Sequence, residues 1–553
     1  MIKIIGKFSA KGLMWCLALG GLLIVDWVLD NDIWFILNCG RYVTEHGIPY
    51  EEFASMHTGL HYVMEQWLTA VIFWKIYSVF GSNGLLTFVW IVGFIILFVY
   101  NRLCFLVSDK NQSLSFILTA IICIFVSMAY IVTRPQILSM MLILVEILIL
   151  EKTFRDEHKW RLLILPLLSL VCINLHAALW PLMIIVMMPF LAEILLTKFK
   201  NLESKLNIRD ILLVILGVFL AGFANPYGWE AMTFIFYSYD PSIHNNVTEV
   251  LPPSSAHFLG KIFFALSVWL IVIYSKKSIP IRYFLITFGF MLLAFMTTRG
   301  IFFFLMLSTF PIAYAYKDWK STIVSGSSIF SKPNMLLPFV ILGVAEIYKF
   351  TNDPNITLNY VPLPDKMFSI LMLIFLICFI FGYKREGELF NSSLPVICIK
   401  PLAFFFAFQF ILFTIWSHQE DTSKNEEPLK PAIDFILEQD RPENIVLFTG
   451  FNDGGYAGFR GLRYYIDARP EVFAKANNHI KDISKEYFDL RSGELSYKEF
   501  FSRYNFTHIL VTDSTIILYL ILEEDENYEK LFEYEYEQWG GKHKCRIFKP
   551  VER

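Results

Sequence analysis

The strongest constraint on the fold of this chain is a succession of apolar runs long enough to cross a bilayer. The chain has 553 residues, of which 56% are hydrophobic and 18% charged, whereas a soluble domain has about 45–50% apolar residues. About thirteen runs approach the roughly 20-residue length of a transmembrane helix, the shorter ones through tilt or burial. They lie near 12–29, 84–106, 114–132, 136–151, 162–175, 179–196, 210–224, 257–275, 282–297, 300–316, 335–348, 367–383 and 400–416. The sequence therefore predicts a polytopic α-helical membrane protein.

The basic residues between these runs predict the orientation of the chain. If residues 67–80 lie in the membrane interface instead of crossing the membrane, five basic connections fall on one side, which the positive-inside rule identifies as the cytoplasm. These connections contain Lys152 to Arg161, Lys198 to Arg209, Lys276 to Arg282, Lys317 and Lys320, and Lys384 and Arg385. No A-x-A-like cleavage site follows the first run, so we read it as an uncleaved span. The predicted topology has the N-terminus inside and the C-terminus outside the plasma membrane.

The last part of the chain differs in composition from the rest. Residues 417–553 contain roughly half of all acidic residues and have the mixed polarity of a soluble domain. Strands are predicted at Ile445–Phe448, Tyr464–Asp467, His508–Thr512 and Arg546–Phe548, between helical stretches. The predicted domains are therefore a transmembrane domain at 1–416 and an extracytoplasmic α/β domain at 417–553.

The first loop, residues 30–83, contains the most informative polar residues. Asp30 and Asp32 follow the first apolar run directly, although a charge at membrane depth costs about 2.5 kcal/mol or more. Residues that anchor a helix at the interface are usually Trp, Tyr, Lys and Arg. The two carboxylates are therefore candidates for a general base or a metal ligand, the alternative being simple solvation of a helix end.

Two arginines stand at outer ends of predicted spans, where the positive-inside rule disfavours them. Arg134 and Arg299 could simply snorkel to the surface. If both face the loop with Asp30 and Asp32, their planar forks would bind a lipid phosphate through paired hydrogen bonds. Four further candidates for substrate contacts are Arg41, His57, Glu65 and His176. The alternatives for these four are a solvated loop residue or a hydrogen-bonded core histidine.

Several classes of function have no support in the sequence. The eight cysteines are scattered, with neither a C-x-x-C pair nor metal-ligand spacing. There is no G-x-G-x-x-G, no G-x-x-x-x-G-K-[ST] and no G-x-S-x-G motif. The net charge of −3 and the lack of basic blocks argue against nucleic-acid binding. In the last domain, Gly454 and Gly455 are expected to permit a tight turn, and Asp467 with Arg469 to form a structural salt bridge.

A set of motifs along nearly the whole chain resembles a bacterial family of multi-spanning proteins. The set comprises Asp32-x-Trp34-Phe35, Gly40-Arg41, Gly47-Ile48-Pro49, Gln66-Trp67-Leu68, Gly81, Arg134-Pro135-Gln136, Asn174-x-His176, Asn225-Pro226-Tyr227-Gly228, Gly454-Gly455-Tyr456 and Asp467-x-Arg469. More distantly, the layout resembles the GT-C glycosyltransferases, including protein O-mannosyltransferases and the aminoarabinose transferases that modify lipid A.

The GT-C resemblance implies a polyprenyl-phosphate sugar as donor and an inverting displacement at its anomeric carbon. It gives the role of base to an aspartate in the first loop, here Asp32 or Asp30, and makes Arg134 and Arg299 candidates for the donor phosphate. The chain has Asp-Asn-Asp where an adjacent Asp-Glu pair is common. No cofactor is implied with certainty, and a divalent metal remains open.

The sequence thus predicts a membrane glycosyltransferase that transfers a sugar to a cell-surface glycan, lipid or protein on the outer face. One alternative is a transporter or flippase of a lipid-linked substrate, which would have ionisable residues at mid-membrane and inverted repeats. The sequence shows no clear internal repeat. A second alternative is a non-catalytic scaffold of the cell envelope.

Overall fold

The computed structural model describes residues 29–156, 158–201, 206–237, 252–253, 258–318, 427–538 and 541–551. The predicted runs at 335–348, 367–383 and 400–416, nearly all of the run at 12–29, and the predicted boundary at residue 416 lie outside these ranges. The helices before residue 319 are α1 Ile33–His46, α2 Trp67–Val107, α3 Gln112–Ala129, α4 Gln136–Arg155, α5 Ile164–Leu175, α6 Pro181–Phe199, α7 Ile208–Ala221, α8 Trp229–Tyr237, α9 Phe258–Lys276, α10 Ile281–Met296, α11 Gly300–Leu307 and α12 Thr309–Ala315.

Each predicted apolar run between residues 84 and 316 is occupied mainly by helix. Among the described residues, Trp67–Val107 and Ala177–Phe199 are long and apolar enough to cross a membrane by length and composition. Shorter apolar helical stretches lie at Leu114–Cys123, Ile262–Lys276, Ile281–Met296 and Gly300–Ala315. The total of about thirteen spans stays a prediction, because four of the runs fall outside the described ranges.

Helix α2 contains a sharp break that divides it into two parts. Gly81 has φ 63° and ψ −159° inside an otherwise helical stretch, a conformation open to glycine at little steric cost. The break lies directly after residues 67–80, the segment predicted to lie in the membrane interface. The backbone can therefore change direction between that segment and the apolar run at 84–106.

Helix α1 was not predicted, since residues 33–46 were treated as part of the loop. Ile33 to Gly40 are all buried, but the apolar stretch from Ile33 to Leu37 is far shorter than the roughly 20 residues that mark a spanning helix. It packs against α2 at very short distance. A Cβ atom on Gly40 would lie 2.0 Å from the carbonyl oxygen of Ala70, so only glycine allows this approach.

A buried ion cluster joins three helices at the end of α4 away from Asp30 and Asp32. Arg282 at the start of α10 donates from Nε to Glu151 Oε1 at 2.7 Å and from its backbone N–H to Glu193 Oε2 at 3.1 Å. The Tyr283 hydroxyl donates to Glu151 Oε2 at 3.1 Å. Because the Glu151 side chain is fully buried, these partners are needed to offset its desolvation.

The C-terminal part contains a five-stranded mixed sheet flanked by helices. Its strands are β1 Val446–Phe448, β2 Arg463–Tyr464, β3 His508–Thr512, β4 Tyr528–Gln538 and β5 Gly541–Pro550, in the spatial order β2-β1-β3-β5-β4. Strand β1 pairs in parallel with β2 and β3, and β5 is antiparallel to β3 and β4. The helices are α13 Lys430–Gln439, α14 Gly454–Phe459, α15 Pro470–Phe473, α16 Lys475–Asn478, α17 Ile483–Ser492, α18 Tyr497–Ser502 and α19 Ile516–Glu524.

The predicted α/β character of this part is thus present, with differences in the strands. The predicted strand at 464–467 is limited to Arg463–Tyr464, and β4 was missed. The expected tight turn at Gly454 and Gly455 is wrong, because both glycines belong to α14. A Cβ on Gly454 would lie 2.0 Å from the Ile466 carbonyl oxygen, so this glycine serves close packing.

Candidate functional site

Asp30 and Asp32 lie at the start of α1 and share one arginine. Arg134, from the turn before α4, places Nε 3.0 Å from Asp30 Oδ1 and Nη2 2.9 Å from Asp32 Oδ2. The Asp30 backbone N–H donates to Thr133 Oγ1 at 3.1 Å, and the Asp32 backbone N–H donates to Asp30 Oδ1 at 3.0 Å. The sequence predicted that Asp30 and Asp32 face both Arg134 and Arg299, and the structure brings the aspartates together with Arg134.

The exposure of this group suits chemistry better than a purely structural ion pair. The side chains of Asp30, Asp32 and Arg134 are 20%, 22% and 19% exposed, so water is largely but not wholly removed. A partly desolvated carboxylate fixed by hydrogen bonds can act as a general base within reach of a bound hydroxyl. A guanidinium beside it can also bind an anionic oxygen.

Glu65 and His176 form a second polar cluster, built on the loop before α2 and the end of α5. His176 Nε2 lies 3.6 Å from Glu65 Oε1, and its Nδ1 is 3.1 Å from Ser139 Oγ on α4. The other carboxylate oxygen of Glu65 accepts from the Ala178 backbone N–H at 3.0 Å. The cluster therefore connects the first loop to α4 and to the turn between α5 and α6.

Burial dominates the electrostatics of this second cluster. It raises the pKa of Glu65 to about 7, although the Ala178 N–H and the positive charge of Arg299 act in the opposite direction. Burial and the Arg299 charge lower the pKa of His176 to about 3. His176 is therefore uncharged at neutral pH. Glu65 gains and loses its proton near neutral pH, and such a shifted pKa often marks a functional site.

The structure places the charge of Arg299 beside the second cluster, where it acts on both Glu65 and His176. Arg299 is the residue before α11. Of the two arginines predicted to face the aspartates, Arg134 makes the ion pairs described above. Arg299 contributes its charge to the Glu65 cluster.

Arg41 and His57 lie where the first loop meets the C-terminal domain. Arg41 donates to the Phe459 carbonyl oxygen at 2.9 Å, and its guanidinium lies 5.2 Å from the centre of the Phe459 ring. His57 Nε2 is 2.9 Å from the Tyr465 carbonyl oxygen. Burial lowers the pKa of His57 to about 4. In this structure both side chains contribute to the contact between the two parts of the chain.

Sequence reasoning missed a buried charge cluster in that same contact. Arg469 Nη2 lies 2.7 Å from Asp467 Oδ2, and Arg469 Nη1 lies 3.0 Å from Glu52 Oε2. The predicted Asp467–Arg469 salt bridge is confirmed, whereas the participation of Glu52 was not predicted. All three side chains are at most 2% exposed. Glu471 follows two residues later, and burial together with the charge of Glu65 raises its pKa to about 7.

Possible metal ligands are sparse in the part of the chain that the structure describes. No group of three or more His, Cys, Asp or Glu side chains in these ranges is arranged to hold a metal ion. The cysteines described there are all buried: Cys39, Cys104, Cys123, Cys172 and Cys545. Asp30, Asp32 and Arg134 by themselves form an ion-paired group with two carboxylates.

Comparison of the sequence with protein-family models and with curated proteins finds no match. Comparison of the structure does find similar folds. ArnT (an aminoarabinose transferase) from Cupriavidus metallidurans, bound to undecaprenyl phosphate, matches with a TM-score of 0.52 and 10% identity over 98% of this chain and 97% of ArnT. The Archaeoglobus fulgidus oligosaccharyltransferase in the apo form matches with a TM-score of 0.51 and 10% identity over 96% of this chain and 73% of that protein. Both are GT-C glycosyltransferases, and the predicted GT-C-like resemblance is confirmed at the level of the fold.

Proposed function

We propose that this protein is a membrane glycosyltransferase that transfers a sugar from a polyprenyl-phosphate donor to a glycan, lipid or protein at the outer face of the cell membrane. The observation that carries the proposal is the pairing of Asp30 and Asp32 with Arg134 at the start of α1. The GT-C-like fold supports it. Further support comes from ArnT itself, which binds undecaprenyl phosphate.

The proposed reaction is an inverting displacement. One carboxylate, that of Asp32 or Asp30, accepts the proton of the acceptor hydroxyl as the hydroxyl oxygen attacks the anomeric carbon. The bond between that carbon and the phosphate oxygen breaks, and polyprenyl phosphate leaves with the electron pair. Arg134 would hold the phosphate close to the base, because its guanidinium lies within 3.0 Å of both carboxylates.

A second positive charge, that of Arg299, acts on the Glu65 cluster. We assign Arg299 to the donor phosphate as well, with Glu65 and His176 beside it. In its protonated form Glu65 can donate a hydrogen bond to an anionic oxygen, whereas its ionised form would repel one. We assign Arg41 and His57 to the support of the first loop, given their contacts with Phe459 and Tyr465.

The proposal includes the topology predicted from the basic loops, with about thirteen spans, a cytoplasmic N-terminus and domains at 1–416 and 417–553. The contacts of the first loop support one feature of it. Glu52 from this loop pairs with Arg469, and Met56 donates its backbone N–H to the Tyr464 carbonyl oxygen at 2.9 Å. This contact supports a placement of the first loop and the C-terminal domain on the same side of the membrane.

The test uses membranes that contain the wild type, Asp30→Asn or Asp32→Asn, assayed for loss of sugar from a lipid-linked donor. We expect the variant of the base to lose at least about 100-fold in transfer rate, a typical effect of removing a general base. Glu51→Gln is the matched control, because Glu51 is an exposed acid in the same loop. Wild-type rates in both aspartate variants would contradict the proposed role.

One observation favours the transporter alternative. Glu146 on α4 is fully buried, and neither of its carboxylate oxygens has a hydrogen-bond partner among the described residues. A buried acid inside an apolar helix often marks a transport pathway. Movement of a fluorescent polyprenyl-linked sugar across proteoliposomes distinguishes the two functions. Transport that is lost in Glu146→Gln and retained in Asp32→Asn would favour a flippase over the transferase.

A further inference from the structure

The contact between the first loop and the C-terminal domain is centred on a buried group with unbalanced charge. We call Glu52, Asp467 and Arg469 the Arg469 cluster. It holds two carboxylates and one guanidinium, and its three side chains are at most 2% exposed. Burying such charges is costly unless every one is paired and hydrogen-bonded. This cost indicates that the cluster does more than hold the two domains together.

Hydrogen bonds within the cluster offset much of this cost. Arg469 Nε lies 3.0 Å and 2.9 Å from the two oxygens of Asp467, and the Tyr464 hydroxyl donates to Asp467 Oδ2 at 2.6 Å. Glu52 Oε1 accepts from the backbone N–H groups of Ala54 and Ser55 at 2.9 Å and 3.0 Å. Two carboxylates from different parts of the chain thus converge on one rigid guanidinium. A fork of this geometry fixes both partners in place.

The same guanidinium touches the helix that begins at Asp32. Its central carbon lies 5.5 Å from the centre of the Phe35 ring, and Nη1 lies 3.9 Å from Cys39 Sγ. Phe35 is three residues after Asp32, about one helical turn. Gly455 of α14 also packs here, where a Cβ would lie 3.3 Å from the Phe35 backbone nitrogen. The C-terminal domain therefore holds the first two turns of α1.

We propose that Arg469 is a positioning residue, which fixes α1 from the C-terminal domain and thereby sets the place of Asp30 and Asp32 opposite Arg134. Its role in sugar transfer rests on the function proposed above. Proton abstraction depends steeply on geometry, so a displacement of about 1 Å at the base can cost about 100-fold in rate. Donor binding depends less on α1, because Arg134 and Arg299 lie just before α4 and α11.

The experiment combines hydrogen exchange with kinetics on the full-length protein in nanodiscs. In Arg469→Met, we expect backbone amides of residues 33–46 to exchange at least tenfold faster than in the wild type. The kcat for transfer falls at least tenfold, and the KM for the polyprenyl-phosphate donor stays within twofold. Lys485→Met is the matched control, because the Lys485–Asp489 pair lies on the exposed surface of the same domain.

A second variant separates positioning from general damage. Glu52→Gln combined with Arg469→Met removes one of the carboxylates that the single variant leaves buried without a cation. Recovery in the double variant measures the damage caused by the unpaired Glu52 charge, and the loss that remains measures the positioning by Arg469. A full return of slow exchange and kcat would overturn the proposal. If Arg469→Met does not fold, Glu52→Gln and Arg469→Lys are measured in the same way and give smaller increases in exchange.

Exchange of residues 33–46 that equals the Lys485→Met control overturns the proposal, even if activity falls. A change in donor KM with unchanged kcat also overturns it. If the wild type transfers no sugar but residues 33–46 still exchange faster in Arg469→Met, the result supports the positioning of α1 by Arg469. The same result contradicts the proposed transferase function. The exchange measurement needs no substrate, so the two proposals can fail separately.

Discussion

Replacement of Glu65 by glutamine is expected to stabilise the protein at alkaline pH and to have little effect under acidic conditions. The Glu65 side chain is 13% exposed, and burial raises its pKa from 4.5 to about 7. Glutamine has the same shape as the protonated acid, and its carbonyl oxygen can still accept the Ala178 N–H. The substitution therefore removes the charge and keeps the hydrogen bond.

The magnitude follows from the difference between the folded and unfolded pKa values. Because the pKa of Glu65 is higher in the folded state, the folded protein binds this proton more tightly than the unfolded chain. The resulting contribution to the free energy of unfolding is fully present below about pH 4.5. It is lost as the pH rises through about 7. A difference of about 2.5 units at 1.36 kcal/mol each gives a cost of about 3 kcal/mol for the ionised form. Glu65→Gln should avoid that cost above pH 8.

The assay is the thermal midpoint of wild type and variant in detergent at pH 5 and pH 8.5. An unfolding entropy of roughly 2 cal/mol/K per residue converts about 3 kcal/mol into a shift of about 2–3 °C for a chain of this size. Glu51→Gln, at an exposed position of the same loop, serves as control and should show no such change. A difference between Glu65→Gln and wild type that does not grow with pH would refute the reasoning.

Two other predictions concern the packing and charge of the site. Arg134→Met leaves two aspartates about one-fifth exposed without their shared cation. We expect a loss of about 1–3 kcal/mol in stability, less than for a fully buried pair, and a fall in transfer rate of at least about 100-fold; an unchanged melting midpoint would argue against the ion pairs. Gly40→Ala places a Cβ 2.0 Å from the Ala70 carbonyl oxygen and should destabilise by about 3 kcal/mol or more. Gly289→Ala, where a Cβ meets nothing within 4 Å, should be nearly neutral, and equal melting midpoints for the two would contradict the close approach of α1 and α2.

The parts of the fold that the sequence predicted well are those dictated by one local property. Apolar runs between residues 84 and 316 became helices, since a long apolar segment in a bilayer must satisfy its backbone hydrogen bonds internally. The grouping of Asp30, Asp32 and Arg134 was predictable for a related reason. Charges at the membrane surface require partners, and Arg134 and Arg299 were the two arginines at outer ends of predicted spans.

The parts that escaped prediction depend on contacts between distant segments. Glu52 and Arg469 are 417 positions apart, and nothing near either residue identifies the other. Helix α1 was missed because its apolar stretch, Ile33 to Leu37, is too short to be recognised as a span, and its first eight residues are buried by contacts with distant segments. Strand β4 is different, since its alternation of Phe532, Tyr534 and Tyr536 with glutamates is a period-two pattern. This alternation predicts a strand, but the segment was missed because so many of its residues are acidic.

We propose that the two polar clusters form one site built around the start of α4. Arg134 lies just before this helix and Ser139 in its first turn, and five residues of helix correspond to about 7.5 Å. The aspartates thus approach α4 from α1, and His176 with Glu65 approach it from α5 and the first loop. In the proposed function the donor phosphate contacts Arg134 from the first group and Arg299 from the second. Near pH 7 Glu65 changes from a neutral acid, which can donate a hydrogen bond, to a negatively charged carboxylate. Protonated Glu65 therefore favours binding of the anionic sugar-phosphate substrate, and ionised Glu65 opposes it.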